Sequence, residues 1–144
     1  MNTLQKAVAD IRQLAQTLFS GGFYDATGEL AQEFRAEVPL RLMYALRDAG
    51  VQRWQLEALT LTLRDVGEAA PLHSEAALDP AQQRVIDEVR AEDEMPAVFK
   101  ALLDAVVPRL QRQKDLVAFY GVMNNVCSKW DTMAGLLHKD ANAV

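Results

Sequence analysis

Apolar side chains near the C-terminal end of the chain recur at steps of four and three, at Leu116, Tyr120, Met123, Cys127, Trp130, Ala134 and Leu137. Such steps place all of them on one face of an α-helix, whereas a strand would require alternate positions. The pattern predicts a helix over residues 109–138, about 45 Å long at 1.5 Å per residue. A compact domain of 144 residues does not need so long a helix, and we expect part of it to reach a partner.

The amino-acid composition favours helix along the rest of the chain as well. Alanine occurs 22 times and leucine 19 times, whereas isoleucine occurs twice and threonine six times, a balance typical of helices rather than strands. Signals for helix ends lie at Gly50, Asp79-Pro80, Met95-Pro96 and Pro108. We therefore expect an all-α fold: one domain over residues 1–144, an irregular bundle of five to seven helices. Residues 67–79 form a surface loop or linker between its N-terminal and C-terminal halves.

One segment, residues 52–66, fits two kinds of secondary structure. Residues 59–63 alternate leucine and threonine as a strand would. A helical face is also present, since Leu56, Leu59, Leu63 and Val66 follow helical spacing and Trp54, Ala58 and Leu61 widen that face. No second strand pattern is visible to pair with this segment, and an isolated strand would leave backbone groups unpaired. We predict a helix, with a strand as the alternative.

The last helix carries the leading functional hypothesis. Small residues, two of them the glycines Gly121 and Gly135, run beside its apolar stripe, although each glycine costs a helix about 1 kcal/mol relative to alanine. Their presence is less surprising if another backbone approaches closely. We expect a non-catalytic protein-interaction module (a subunit, adaptor or inhibitor) that contacts another protein or a second copy of itself. The predicted anchors are Tyr120, Met123, Trp130, Met133 and Leu137. The alternative is that this helix is simply the centre of the domain.

Acidic charge is concentrated in one region and suggests a second hypothesis. The net charge is −5, and residues 67–95 hold 8 acidic but only 2 basic side chains. This region could bind a basic, nucleic-acid-binding groove of a partner as a decoy, in a strongly salt-dependent way. The candidate carboxylates are Glu75, Asp79, Asp87, Glu88, Glu92, Asp93 and Glu94.

A modest basic patch supports a third hypothesis, a small helical subunit that contacts nucleic acid. Its candidate residues are Lys100, Arg109, Arg112 and Lys114, enough charge to contact a few phosphates. No interleaved aromatic residues or zinc-finger spacing accompany the patch, and an acidic protein is not a generally basic nucleic-acid binder. A solvated helix face explains the same residues more simply.

Signals for catalysis, metals and membranes are weak. The two histidines, His73 and His138, lie far apart in sequence, and no nucleophile–base pair or phosphate-binding loop is recognisable. We expect no enzymatic activity, no cofactor and no metal. A single cysteine, Cys127, cannot form an intramolecular disulfide, which favours a reducing, cytoplasmic location. We also expect no signal peptide and no membrane-spanning helix.

Overall fold

The computed structural model of the chain describes residues 3–18, 23, 27, 31–67 and 74–142, without the side chains of residues 3, 4, 7, 14–18 and 134–142. Within these residues the secondary structure is helical and contains no β-strand, which confirms the all-α prediction. The helices are α1 (Thr3–Leu18), α2 (Gln32–Arg35), α3 (Glu37–Asp48), α4 (Arg53–Gly67), α5 (Pro80–Arg90), α6 (Ala97–Val106) and α7 (Gln113–Asn142), with a 3-10 turn at Val107–Arg109.

Helix α7 lies at the centre of the bundle. It packs mainly against α4 and α3, while α1 packs against α6 and α3. Leu116 and Met123 of the apolar stripe are fully buried along it, and Phe119, beside the stripe, is fully buried as well. The helix begins at Gln113, later than the predicted residue 109, because the 3-10 turn that contains Pro108 comes first.

The segment 52–66, ambiguous in sequence, is the helix α4. Leu56, Leu59, Thr60 and Leu63 are buried at helical spacing. The hydroxyl of Thr60 donates a hydrogen bond of 2.8 Å to the carbonyl oxygen of Leu56, so this polar side chain is paired in the core. The reverse turn before α4 uses Gly50, whose φ of 86° is unfavourable for residues with a Cβ, and Val51 N–H closes the turn on Leu46 O at 3.1 Å.

Helix α5 lies at the edge of the bundle and contributes a single buried side chain, Ile86. Its start is well fixed: the Asp79 carboxylate accepts from Gln82 N–H at 2.8 Å and the Gln82 side chain accepts from Asp79 N–H at 2.9 Å, a capping box. The Gln82 amide is also paired with the Gln113 amide on α7. This polar cluster attaches α5 to the start of the central helix.

Candidate protein-binding cleft

The predicted anchors on the last helix are mostly occupied by contacts within the chain. Met123 is 0% exposed and is therefore corrected from a partner contact to a core residue. Tyr120, Trp130 and Met133 are partly buried and pack against the core, and Gly121 is half-buried. Gly135 and Leu137 belong to the part of α7 whose side chains lie outside the described residues. Up to Met133, α7 is the domain's central helix, the alternative already apparent in sequence.

The acidic and basic candidate residues meet at the start of α7. Glu75 accepts from Arg112 at 2.6 Å and from Lys114 at 2.7 Å. The hydrogen bond from Lys114, followed by the charges of Lys114 and Arg112, holds the pKa of Glu75 below its ordinary value. Two of the proposed phosphate contacts therefore already have a carboxylate partner in the folded chain. Of the other basic candidates, Lys100 is half-buried on α6 and Arg109 lies in the 3-10 turn.

The remaining acidic candidates divide by location. Asp79 caps α5, and Asp87 and Glu88 lie exposed along that helix. Glu92, Asp93 and Glu94 are exposed in the turn between α5 and α6. Glu92 and Glu94 of this last group line a concave surface beside α4, and Asp87 and Glu88 border a more open depression along α5 itself.

The concave surface is a cleft of about 200 Å³ between α4 and the segment that joins α5 to α6. We call it the Trp54 cleft. One wall is the outer side of α4, and the opposite wall comprises the end of α5, the turn after it and the start of α6. Its lining residues are Trp54, Gln55, Ala58, Leu59 and Thr62 on the first wall, and Val89, Glu92, Glu94, Met95, Pro96 and Phe99 on the second.

Trp54 is the most conspicuous residue of the cleft because its side chain is 68% exposed. Ala58 and Leu61 follow it on the outer side of α4, both exposed, and Leu61 is 38% exposed. Helix α4 thus carries apolar residues on two sides, one buried in the bundle and one open to solvent. The leucine–threonine alternation that resembles a strand in sequence is a consequence of these two apolar faces.

The polar side chains of the two walls differ in their hydrogen bonding. On α4, the Gln55 side chain accepts from Gln52 N–H at 2.8 Å, and the Thr62 hydroxyl donates to Ala58 O at 3.0 Å. In the described part of the chain, Glu92 and Glu94 form no ion pair or side-chain hydrogen bond. The cleft therefore offers a solvent-exposed indole, an apolar interior and two free carboxylates.

A neighbouring arginine holds the first turn of α4 against α7. Arg53 forms two hydrogen bonds with Asp131, at 2.9 and 3.1 Å, and a third with Glu57 at 3.1 Å. The Asp131 hydrogen bond raises the pKa of Arg53, and the same bond lowers the pKa of Asp131 below its ordinary value. These contacts position Trp54, the next residue, beside the cleft.

The sequence identifies several residues of this cleft but does not indicate that they lie together. Trp54 and Ala58 belong to a widened apolar face in sequence, while Glu92 and Glu94 belong to an acidic region. The two sets lie more than thirty residues apart in the chain, and only the packing of α4 beside the α5–α6 turn brings them together. The usable signal is the apolar arc of α4, which is wider than one buried face requires.

Three comparisons with known proteins found no relative of this chain. No protein-family model matches the chain, and no curated protein and no solved structure matches it significantly. Among the described residues no group of three His, Cys, Asp or Glu side chains is arranged to hold a metal ion. None of the helices in that part of the chain combines the length and apolar character needed to span a membrane.

Proposed function

We propose that this protein is a protein-interaction module whose binding face is the Trp54 cleft. The occupant is a segment of another protein that inserts an apolar side chain between α4 and the α5–α6 turn. The observation that carries the proposal is the 68% exposure of Trp54 at the edge of an apolar cleft. This replaces the last helix as the leading contact surface.

Two physical arguments favour recognition of a protein segment. Single exposed apolar residues are ordinary, but a contiguous group beside a concavity is typical of binding surfaces. Tryptophan is enriched among the residues that dominate binding energy, because it supplies a large rigid contact area. Trp54, Ala58 and Leu61 form such a group next to the apolar interior of the cleft.

The size of the cleft also favours a side chain over a complete small molecule. Its volume is about 200 Å³, whereas sites for small molecules and cofactors usually occupy roughly 300–1,000 Å³. A cleft below that range accommodates one or two side chains of a larger ligand. The rest of that ligand would lie across the exposed side of α4.

A reducing, cytoplasmic location remains part of the proposal. It is supported by the single cysteine, Cys127, which is buried as a free thiol. A folded domain with no disulfide is the usual form of a protein in that compartment.

Selection from a displayed library of random peptides tests the proposal while the natural partner is unidentified. We expect enriched peptides to bind the wild-type protein and to lose at least about tenfold in affinity on the Trp54→Ala variant, because truncating such an anchor typically costs more than 1 kcal/mol. Ala58→Arg, which keeps Trp54 but fills the cleft, should have a similar effect. Circular dichroism verifies that both variants fold.

Tyr44→Ala is the matched control. Tyr44 is another exposed aromatic residue, 39% exposed on α3 and covered in part by Arg47 at 5.8 Å. It does not line the cleft, so its removal should leave peptide binding unchanged. Peptides that bind wild type, Trp54→Ala and Ala58→Arg equally, or the absence of any enriched peptide, would contradict the proposed function.

A further inference from the structure

We propose that the Trp54 cleft selects a basic segment, one in which a lysine or arginine flanks the inserted apolar side chain. This inference rests on the proposed function and specifies the chemistry of the partner. It follows from the placement of charge around the cleft, which is one-sided.

Among the described residues, those that line the cleft include acidic but no basic side chains. Glu92 and Glu94 both contribute to it, and Asp93 lies between them in the same exposed turn. Like charges held so close together repel one another, and a ligand cation relieves that repulsion. Glu92 and Glu94 therefore form an acidic rim along one wall, with Asp93 adding negative charge in the same turn.

Of the three cations that adjoin lining residues in sequence, two are already engaged. Arg53, which precedes Trp54, is bound by Asp131 and Glu57. Arg90, at the end of α5, pairs with Asp104 at 2.8 Å. The third, Lys100, follows Phe99 and is half-buried on α6. In the described part of the chain none of the three forms an ion pair with Glu92 or Glu94, so the acidic rim is left for a positive group of the ligand.

The two walls give the ligand a definite order of groups. Trp54 and Ala58 lie on the α4 wall, the rim carboxylates lie on the opposite wall, and Leu59 and Phe99 are buried at the base between them. An apolar side chain can contact the base and the indole while a neighbouring cation contacts the rim. The exposed face of Trp54 also attracts a cation directly, which reinforces the same preference.

Charge complementarity of this kind makes acidic ligands unfavourable. A segment that placed aspartate or glutamate at the rim would meet the two unpaired carboxylates of Glu92 and Glu94, and a neutral segment would leave the rim solvated without gain. A second copy of this chain is the less suitable occupant, because its net charge is −5. The complementary partner is a basic stretch with an apolar anchor, such as a surface used for nucleic-acid binding.

The peptides selected for Trp54-dependent binding test this inference directly. We expect them to be enriched in lysine and arginine beside an aliphatic or aromatic residue. The double variant Glu92→Gln with Glu94→Gln should weaken their binding by about three- to tenfold, since each exposed ion pair contributes little by itself. The loss should appear mainly as a slower association rate, because rim charges act on the approach of the ligand, and added salt should reduce the difference.

The matched control is the double variant Asp87→Asn with Glu88→Gln. It removes the same charge from the exposed side of α5, outside the cleft lining, and should change affinity by less than twofold. Equal losses of affinity in both double variants would overturn the inference, because binding would then depend on the overall charge of the protein and not on the carboxylates at the cleft. Neutral or acidic peptides that still require Trp54 would also overturn it, while leaving the proposed function intact.

A second test needs no ligand. In the Trp130→Phe variant Trp54 is the single tryptophan, and its fluorescence can be quenched by caesium or by iodide. Each quenching constant of Trp54 is divided by the constant of the same ion for free N-acetyltryptophanamide. We expect this ratio to be larger for caesium than for iodide, because the acidic rim concentrates cations. Replacing Glu92 and Glu94 with glutamine should remove that preference. Equal quenching by both ions before the replacement would contradict the acidic character of the cleft.

Discussion

Replacement of Met123 by alanine should reveal which face of the molecule is structural. Met123 is 0% exposed and lies on α7 between the fully buried side chains of Phe119 and Val126. Truncation of a buried methionine removes apolar contacts and leaves a cavity, which costs about 2–5 kcal/mol. That loss is a large part of the roughly 5–15 kcal/mol by which a domain is usually stable.

The size of the effect can be compared with a mutation on the cleft. Trp54 is 68% exposed, and substitutions at such positions usually change stability by about 0.5 kcal/mol or less. Alanine is also the better helix former, which compensates part of any loss on α4. We therefore expect Met123→Ala to be less stable than Trp54→Ala by about 2–4 kcal/mol.

Urea denaturation followed by circular dichroism measures both variants. The midpoint should fall clearly for Met123→Ala and remain near the wild-type value for Trp54→Ala. In a thermal scan the corresponding decrease for Met123→Ala is about 6–20 °C, taking roughly 3–4 °C per kcal/mol at this chain length. The reasoning would be refuted by a Met123→Ala protein of wild-type stability, or by a Trp54→Ala protein that unfolds more easily than Met123→Ala.

Three further changes test other parts of the account. Asp79→Ala removes the capping box of α5 and should cost about 1 kcal/mol, with faster amide hydrogen exchange in α5; unchanged exchange would contradict the role of the cap. Gln113→Ala leaves its amide and carbonyl partners incompletely paired, so the urea midpoint should fall by the equivalent of about 1–3 kcal/mol; a wild-type midpoint would show that water replaces the side chain without cost. Asp131→Asn breaks the pairing with Arg53. Because the folded pKa of Asp131 is lowered, the stabilisation is present above the ordinary pKa of about 4 and is lost as the pH falls through the lowered value. Asp131 is exposed and Arg53 is half-buried, so solvent screens the pair. Wild type should therefore exceed Asp131→Asn by at most about 1 kcal/mol at neutral pH and should match it in strong acid; a difference that grows on acidification would contradict this assignment.

The helices are predictable where a local signal determines them. The stripe on α7 indicates a buried face, Gly50 allows the reversal before α4, and Asp79-Pro80 starts α5. The burial of the α7 stripe comes from packing on α3 and α4, but at Gly50 and Asp79-Pro80 the deciding contact lies within a few residues of the signal. The same holds for Pro108, which falls in the 3-10 turn before α7.

Besides the start of α7, the start of α3 also differs from the sequence pattern, which predicts Pro39 as the first residue of a helix. Pro39 favours a helix that restarts at that residue, but α3 begins at Glu37 after a break at Ala36, where φ is −131° and ψ is −68°. Proline lacks an N–H donor, and the first turn of a helix needs none. Pro39 is therefore accommodated inside the first turn rather than at its first residue.

The candidate site is less predictable because it depends on contacts between distant segments. The carboxylates of Glu92 and Glu94 are recognisable as acidic, and Trp54 is recognisable as apolar, but neither signal gives the relative position of α4 and the α5–α6 turn. Periodicity groups Trp54 with the buried face of α4, since hydrophobicity alone does not distinguish a core side chain from a docking side chain. Met123, expected at a partner interface, is buried, and Trp54, expected on the same apolar face as the buried leucines of α4, is exposed.

The most direct measurement is a nuclear magnetic resonance titration of the isotope-labelled protein with a selected peptide. If the Trp54 cleft is the binding face, the changes in backbone amide chemical shift should concentrate in residues 54–62 and 89–99, the two walls of the cleft. Little change is expected in residues 116–126, where Leu116, Phe119 and Met123 are fully buried in the interior of the bundle. Shifts that concentrate on α7 and spare both walls would place recognition on the last helix and contradict the account.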